Sequence, residues 1–155
     1  MAETATDTRW LDSQQQASWR AFLDGTTVLF DRLDRDLRAS IGIALPEYEI
    51  LVRLSESPQR HLRMAVLASS LAHSRSRVTH TVARLERLGA VERTSCDTDG
   101  RGVLCQMTDA GWELLERAAH IHVTGVRDYL VDVADPDDLA AVGRVFSAVS
   151  VRLAR

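Results

Sequence analysis

The sequence has no lysine, only two cysteines and no long hydrophobic run. All 19 basic residues among its 155 are arginine, a bias that a GC-rich genome also produces and that does not by itself indicate a function. Cys96 and Cys105 are too few for a disulfide framework, which favours a reducing compartment. No apolar run approaches the roughly 18 residues of a membrane span, and the N-terminal segment lacks the pattern of a signal peptide. We therefore expect a cytoplasmic protein that makes no membrane contact.

The sequence also lacks the motifs of common enzyme sites. It contains no phosphate-binding loop, no nucleophile elbow and no cluster of metal ligands. Neither His73 with His80 nor His120 with His122 has the spacing of two ligands on one helix face. We therefore predict that the chain is not an enzyme and that it holds no metal and no cofactor.

Positive charge is concentrated in one part of the chain. Eight arginines and four acidic residues lie between Arg60 and Arg101, which gives this window a net charge of +4. The rest of the chain carries 11 arginines and 18 acidic residues, a net charge of −7. Although the total charge of −3 argues against nucleic-acid binding, the basic window is typical of a surface that binds it.

The segment SRSRVTHTVARLERLG, residues 74–89, predicts a helix within this window. Its apolar side chains recur at helical spacing and predict a buried stripe, formed by Val78, Val82, Leu85 and Leu88. The opposite side is rich in arginine and in small hydrogen-bonding residues. A solvated cationic surface helix is one interpretation of this pattern, and a helix that contacts DNA is the other.

Three helices are predicted before this segment. The first is long and runs from about Leu11 to Ser40, because its apolar residues keep helical spacing. A second helix begins at Pro46, a residue that suits the first turn. A short third helix is expected in LRMAVLASSLA, and SPQRH between the second and third helices is expected to be a turn.

A β-hairpin and two more helices are predicted after it. AVERTS and VLCQMT alternate in polarity on either side of CDTDGRG, which is rich in turn-forming residues, and this arrangement predicts a hairpin. Two amphipathic helices follow, one beginning near Asp109 and the other near Asp135. The sequence therefore predicts a mainly α fold with a small β-hairpin.

The chain is expected to form one domain over residues 1–155. Its central unit spans 46–108, and the helices at 10–42 and 109–155 flank it. These flanking helices carry more apolar surface than a monomer of this length easily covers. We therefore predict that they form the interface of a homodimer.

The central segments resemble the winged helix-turn-helix unit of MarR-type bacterial transcriptional regulators. The family's wing pattern of Asp, any residue and Arg matches Asp99–Arg101, and a strand followed by Gly111 matches its continuation. LASSLAHSRSRVTHTVARLERLGAVER resembles the family's helix, turn and recognition helix in spacing and phase. The wing differs at Thr98 and Gly102, where many members have proline and a second arginine. The first helix also lacks the reactive cysteine of the family's peroxide-sensing branch.

The helix and the hairpin together predict a DNA-binding surface. An α-helix fits the major groove, where residues near its N-terminal end contact base edges. Arg75 and Arg84 are expected to contact phosphates, and Arg101 on the wing, supported by Asp99, is expected to enter the minor groove. Base-edge contacts are predicted for four residues of the first turns, namely Ser76, Arg77, Thr79 and His80.

The resemblance also implies a partner and an effector. It implies a homodimeric repressor that binds a pseudo-palindromic operator in double-stranded DNA and is released by a small molecule, for which small aromatic compounds are the expected class. The predicted effector pocket lies where the flanking helices meet the winged unit, and core packing is the alternative role of its residues: Trp19, Phe22, Tyr48, His61, Trp112 and His122. Two other hypotheses remain, a winged-helix module that binds protein and a repressor that responds to oxidation at Cys96 and Cys105.

Overall fold

Six α-helices and a three-stranded sheet make up the described part of the chain, residues 8–95 and 102–153 of this computed structural model. A short 3₁₀ turn at Pro58–Arg60 precedes the first strand, and a π-helical turn at Arg127–Val131 continues the fifth helix. The mainly α fold with a small β-wing is confirmed. In chain order the helices and strands are α1 Ser13–Ile41, α2 Leu45–Ser55, β1 His61–Arg63, α3 Met64–Ser70, α4 Arg75–Arg87, β2 Val91–Ser95, β3 Val103–Met107, α5 Asp109–Val126 and α6 Pro136–Leu153.

Local hydrogen bonds define both ends of α1. The Asp12 carboxylate accepts the backbone N–H of Gln15 at 2.8 Å, and the Gln15 side chain accepts the backbone N–H of Asp12 at 3.1 Å, which is a capping box. At the other end Gly42 has a φ of 75°, a value that glycine adopts without steric cost, and its N–H donates to the Arg38 carbonyl. The long helix predicted from about Leu11 to Ser40 is confirmed.

The sheet contains one strand more than the predicted hairpin. β1 pairs antiparallel with β3, so that the strand order is β1-β3-β2 and Leu62 lies opposite Cys105. The expectation that SPQRH is only a turn is therefore wrong at its last residue, His61, which begins β1. A strand of three residues is too short to give a period-two pattern, and it forms here because the free edge of β3 supplies backbone partners.

The core of the central unit lies where α2 packs against α1, α4 and α5 and where α3 packs against α4. Three of the predicted stripe residues of α4, Val78, Val82 and Leu85, are buried, and Leu51 of α2 is inaccessible to solvent. The prediction for Leu88 is wrong, because 51% of this residue is exposed. α4 ends at Arg87, so Leu88 leaves the helical repeat and turns towards solvent.

Helix α6 and the N-terminal half of α1 are much less buried than this core. α6 contains no buried residue, and the described N-terminal part of the chain exposes 85% of Trp10. The C-terminal half of α1, in contrast, contributes the buried residues Leu33 and Leu37. No helix in the described ranges is long and apolar enough to cross a membrane.

Candidate nucleic-acid interface

The first turns of α4 present five of the predicted DNA-binding residues to solvent. Ser74 caps the helix, its hydroxyl accepting the backbone N–H of Arg77 at 3.2 Å. Thr79 donates its hydroxyl to the Arg75 carbonyl at 2.8 Å, a bond that keeps its methyl group and oxygen near the helix surface. The opposite side of α4 is buried, so the polar residues form one exposed surface: Arg75, Ser76, Arg77, Thr79 and His80.

The arginines of this surface differ from their neighbours in charge pairing. Arg84 contacts Glu47 at 2.8 Å, and Arg93 contacts Glu86 at 2.6 Å. Within the described ranges, Arg75 and Arg77 form no such ion pair. No described acidic residue therefore neutralises these two guanidinium groups at the start of α4, which suits them to phosphate or guanine contacts.

The guanidinium of Arg84 is bound by two protein groups, although 41% of its side chain is exposed. Its Nε donates to Glu47 Oε1, and its Nη2 donates to the Gly42 carbonyl at 3.1 Å. The sequence predicted a phosphate contact for this residue, because it lies on the polar side of α4. The structure gives its guanidinium two protein partners instead, and these turn it towards the α1–α2 junction.

A groove beside α4 adds a residue that the sequence analysis did not single out. It has a volume of about 350 Å³ and lies between α4, the start of α3 and the base of the wing. Arg63 lines it together with Arg75 and Thr79. Arg63 belongs to the basic window. Because the third helix was expected to begin at Leu62, the sequence did not indicate that Arg63 lies at the end of β1.

The base of the wing is fixed to α4 and α5. The Glu86 carboxylate accepts the backbone N–H of Arg93 and pairs with its side chain, which joins β2 to α4. The Thr108 hydroxyl donates to the Gly89 carbonyl at 2.7 Å and accepts the N–H of Gly111 at 3.0 Å. The orientation of the wing is therefore coupled to the end of α4. The wing-tip predictions, Arg101 and its support Asp99, lie outside the described residues, as does Cys96.

Cys105, the wing cysteine among the described residues, has an environment that disfavours thiol reactivity. Cys105 lies on β3 with its side chain inaccessible to solvent. Burial raises the pKa of its thiol to about 12, and the nearby Glu86 carboxylate acts in the same direction. Because the thiolate is the reactive form, this environment disfavours oxidation of Cys105.

Two of the six predicted pocket residues line one cavity. This cavity measures about 450 Å³, and Tyr48 and His122 lie in its wall with their ring centroids 4.6 Å apart. It is bounded by α1, α2 and α5 and by the turn that connects α3 to α4, and its lining includes Phe30, Arg53 and His73. A ligand in this cavity would contact the segment that immediately precedes α4.

His122 supplies an unpaired polar atom beside this cavity. Its Nδ1 is buried and has no hydrogen-bond partner among the described residues. Burial lowers the pKa of His122 and raises the pKa of Tyr48, because the apolar surroundings disfavour the charged form of each group. A polar atom of a bound ligand could supply the hydrogen bond that Nδ1 lacks among the described residues.

The other four predicted pocket residues lie elsewhere. Trp19 stacks on Phe22 with their centroids 5.6 Å apart, and Phe22 contacts Phe146 of α6 at 5.0 Å. Trp112 lies beneath the Arg60 guanidinium, which is 4.1 Å from its ring centroid, and His61 belongs to β1. None of the four lines the cavity of Tyr48 and His122.

Histidine, cysteine and carboxylate side chains do not gather into a metal site within residues 8–95 and 102–153. The histidines therefore have other roles there. His80 lies on the exposed side of α4, and His122 lies at the cavity.

Known proteins share this architecture over almost its whole length. A model of the MarR family matches residues 41–102, from the end of α1 to the wing. Sco3205, a MarR family transcriptional regulator from Streptomyces coelicolor whose structure was solved in complex with DNA, has a TM-score of 0.90 and 40% sequence identity over 96% of this chain and 92% of that chain. AbsC, a MarR family transcriptional regulator from the same organism, has a TM-score of 0.87 and 35% identity over 94% of this chain and 98% of that chain.

The sequence relatives agree with the structural ones. The HTH-type transcriptional regulator PecS of Dickeya dadantii (strain 3937) is 27% identical over 127 residues, which are 79% of this chain and 76% of that protein. The helix-turn-helix of α3 and α4 with its adjoining three-stranded sheet defines a winged-helix protein. The chain belongs to the MarR family of transcriptional regulators. Members of this family are not enzymes, so this prediction from the sequence is confirmed.

Proposed function

We propose that the protein is a homodimeric repressor that binds double-stranded DNA through the exposed side of α4. The observation that carries this proposal is the pair of arginines at the start of α4, Arg75 and Arg77, which are exposed and form no ion pair with the described residues. The DNA complex of the similar regulator Sco3205 supports it. A protein that represses transcription acts where the chromosome lies, so the proposal includes the cytoplasmic location expected from the sequence.

Each residue of the exposed surface has a proposed role. Arg77 donates to guanine in the major groove, with Ser76, Thr79 and His80 beside it at base edges. Arg75 and Arg63, which line the same groove, contact phosphates. Arg101, supported by Asp99, contacts the minor groove from the wing. Arg84 lies on the same side of α4, but Glu47 and Gly42 bind its guanidinium, so no DNA contact is assigned to it.

Dimer formation is the second element of the proposal. α6 and the N-terminal half of α1 expose apolar residues that the described part of the chain leaves uncovered, and Phe22 and Phe146 join these two helices. A second copy that covers them would place two α4 helices on one duplex. We expect a pseudo-palindromic operator with half-sites about 10 bp apart.

Release by a small aromatic effector is the third element. The cavity beside Tyr48 and His122 has a volume suited to a small molecule, and His122 Nδ1 supplies an unsatisfied polar group. Because the cavity wall includes the turn before α4, a ligand bound there would favour one orientation of that helix. A ligand that binds better to the DNA-free arrangement must weaken operator binding by the same factor.

The test of the DNA surface is a comparison of two arginine variants. A site is first selected from random DNA, and affinities are then measured by fluorescence anisotropy at several salt concentrations. Arg77→Ala should lower affinity for the selected site by about 1–3 kcal/mol and relax base preference, since a bidentate base contact is lost. Arg117→Ala, which removes an exposed arginine of α5, should bind as the wild type does.

Two outcomes would contradict the proposal. If Arg77→Ala binds selected and random DNA like the wild type, the DNA surface lies elsewhere. If the wild type binds no DNA at any salt concentration, the alternative of a protein-binding winged-helix module is favoured. Arg101→Ala should instead weaken binding to many sequences and reduce the slope of affinity against salt.

The effector is tested by titration with a panel of small aromatic acids. Tyr48→Ala and His122→Ala should abolish both ligand binding and ligand-induced release of DNA, whereas Trp19→Ala, which lies outside the cavity, should preserve them. A panel that neither binds nor releases DNA would favour the remaining hypotheses, a ligand-independent repressor or oxidation at the wing. The high pKa of Cys105 argues against the latter, since its thiol is protonated at neutral pH.

A further inference from the structure

The guanidinium of Arg84 joins three segments of the chain. It donates from Nε to Glu47 at the start of α2 and from Nη2 to the carbonyl of Gly42, which ends α1. The second oxygen of Glu47 accepts the backbone N–H of Ala44 at 2.6 Å. One ion pair therefore links the last turn of α4 to the point where α1 passes into α2.

The carboxylate of this pair is unusually enclosed. Only 2% of Glu47 is exposed, and it is the one charged residue in the core of the described part of the chain. A buried carboxylate is tolerated when it is paired and its remaining lone pairs accept hydrogen bonds, as they do here. A shift of α4 that separated Arg84 from Glu47 would leave this charge unpaired, so the pair opposes such movement.

A second carboxylate strengthens the same junction. Asp34 of α1 accepts the backbone N–H of Leu45 at 2.8 Å and pairs with Arg38 at 2.5 Å. The first two backbone donors of the α2 region, Ala44 and Leu45, are therefore bound by side chains from different helices. The junction is held on the α1 side by Asp34 and on the α4 side by Glu47 and Arg84.

The position of Arg84 on α4 means that its contacts affect where the DNA-binding residues lie. It follows Arg77 by seven residues, which is close to two helical turns, so both lie on the same side of α4 about 10 Å apart along its axis. A tilt of α4 at Arg84 therefore displaces Arg77. In a dimer built on α1, the same tilt changes the distance between the two α4 helices.

We propose that Glu47 and Arg84 are positioning residues that fix the angle between α1 and α4 and thereby set the half-site spacing that the dimer accepts. This inference rests on the proposed dimeric DNA-binding function. The pair does not touch DNA. It acts through the orientation of α4, and without it the dimer accepts operators of several spacings.

The experiment measures spacing preference together with affinity. Duplexes carry the selected half-sites with the spacer unchanged, or lengthened or shortened by one and two base pairs, and each base pair moves a half-site by about 3.4 Å and about 35°. The proteins are the wild type, Glu47→Gln, Arg84→Lys and the double variant Glu47→Gln/Arg84→Gln. The double variant leaves no unpaired buried charge, so it keeps a folded protein available for the test. Glu56→Gln, the same change at an exposed carboxylate of the α2 terminus, is the matched control.

The expected result is a loss of discrimination. The wild type and Glu56→Gln should bind the unchanged spacer about tenfold or more tightly than the altered ones, as a rigid dimer does. The double variant, with its fold verified by circular dichroism, should reduce this ratio to about threefold or less, and Arg84→Lys should fall between them because lysine retains the charge but not the fork.

Other results are distinguishable. If the folded double variant binds more weakly but keeps the wild-type ratio between spacers, the pair only stabilises the fold and the positioning role is overturned. If the wild type itself binds all spacers equally, or binds no DNA, the proposed dimeric function fails and this inference fails with it.

Discussion

The winged unit and the flanking helices use the same amphipathic pattern with different results. In the winged unit the apolar side chains of α2 and α4 meet those of α1, α3 and α5, and Leu51 and Leu85 are inaccessible to solvent. In α6 the stripe predicted from the sequence stays open, with 39% of Phe146 and 41% of Val149 exposed. One region completes its core within the chain, and the other presents an apolar surface that a second copy is proposed to cover.

α1 belongs to both regions. Leu33 and Leu37 near its C-terminal end are buried against the winged unit, whereas Trp19 near its start is half exposed beside Phe22. The helix is continuous from Ser13 to Ile41, so a displacement of its N-terminal half is transmitted to the junction with α2. The comparison between the two regions therefore concerns one continuous helix that is buried near its C-terminal end and largely exposed near its start.

The largest effect is expected in the closed core. Leu85→Ala removes a fully buried side chain of α4 and should lower the free energy of unfolding by about 3–5 kcal/mol, because the lost contacts leave a cavity. Leu88→Ala, three residues further along, changes an exposed leucine and should cost less than about 1 kcal/mol. Urea denaturation at one fixed protein concentration measures both. Equal losses would mean that Leu88 is covered in solution.

A substitution on the exposed apolar surface of α6 should change dimerisation rather than the stability of the core. Val149→Asp places a charge on the proposed interface and should yield a monomer in sedimentation experiments, with operator affinity reduced about 100-fold because the second half-site no longer binds intramolecularly. Val151→Asp, on another side of the same helix, is the control and should remain dimeric. A dimeric Val149→Asp protein with normal operator affinity would place the interface elsewhere.

Glycine-to-alanine substitutions, each of which adds one methyl group, test the difference between the packed and the exposed region. A Cβ at Gly111 would lie 2.0 Å from the Ala90 carbonyl oxygen, so Gly111→Ala should force α5 away from the end of α4 and cost about 1–3 kcal/mol of stability. A Cβ at Gly143 of α6 meets no atom within 4 Å, so Gly143→Ala should raise stability by about 0.5–1 kcal/mol through helix propensity. Thermal and urea unfolding measure the signs, and a destabilising Gly143→Ala would show that a partner helix packs at this glycine.

Sequence periodicity was enough to predict the helices and the exposed surface of α4. The spacing of Val78, Val82 and Leu85 defines the buried side, and the polar side follows from it. The same argument fails at Leu88, where the end of the helix interrupts the period. It also fails for β1, because three residues show no alternation, and their pairing depends on the edge of a strand more than 40 residues away in sequence.

Tertiary contacts account for what the sequence could not supply. Arg84 has the helical position of a phosphate-binding residue, and only the folded structure brings it to Glu47, which precedes it by 37 residues. The aromatic residues predicted as one pocket all have suitable chemistry, but composition does not determine which of them share a cavity. Tyr48 and His122 come together because α2 packs on α5. Trp19 lies on α1 and Trp112 near the start of α5, and neither lines this cavity.

The smallest effect we expect is a pH dependence at the boundary between the two regions. Burial lowers the pKa of His122 below its ordinary value of 6.5, so the unfolded chain takes up a proton there more readily than the folded chain. Stability should therefore be greatest above about pH 6.5 and should fall as the pH drops towards the folded-state pKa, below which this contribution levels off. Urea denaturation at a series of pH values measures the slope.

The contribution of His122 is isolated by comparison with two variants. His122→Phe keeps an aromatic ring against Tyr48 but does not titrate, so its stability should decline less steeply below pH 6.5 than that of the wild type. His120→Asn changes an exposed histidine on the same helix and should follow the wild-type curve. If His122→Phe follows it as well, the imidazole is hydrated or paired in solution, and the cavity beside Tyr48 would then already contain a partner for Nδ1. An effector whose carboxylate accepts a hydrogen bond from protonated Nδ1 should likewise reduce the pH dependence, because it raises the pKa of His122 in the folded chain.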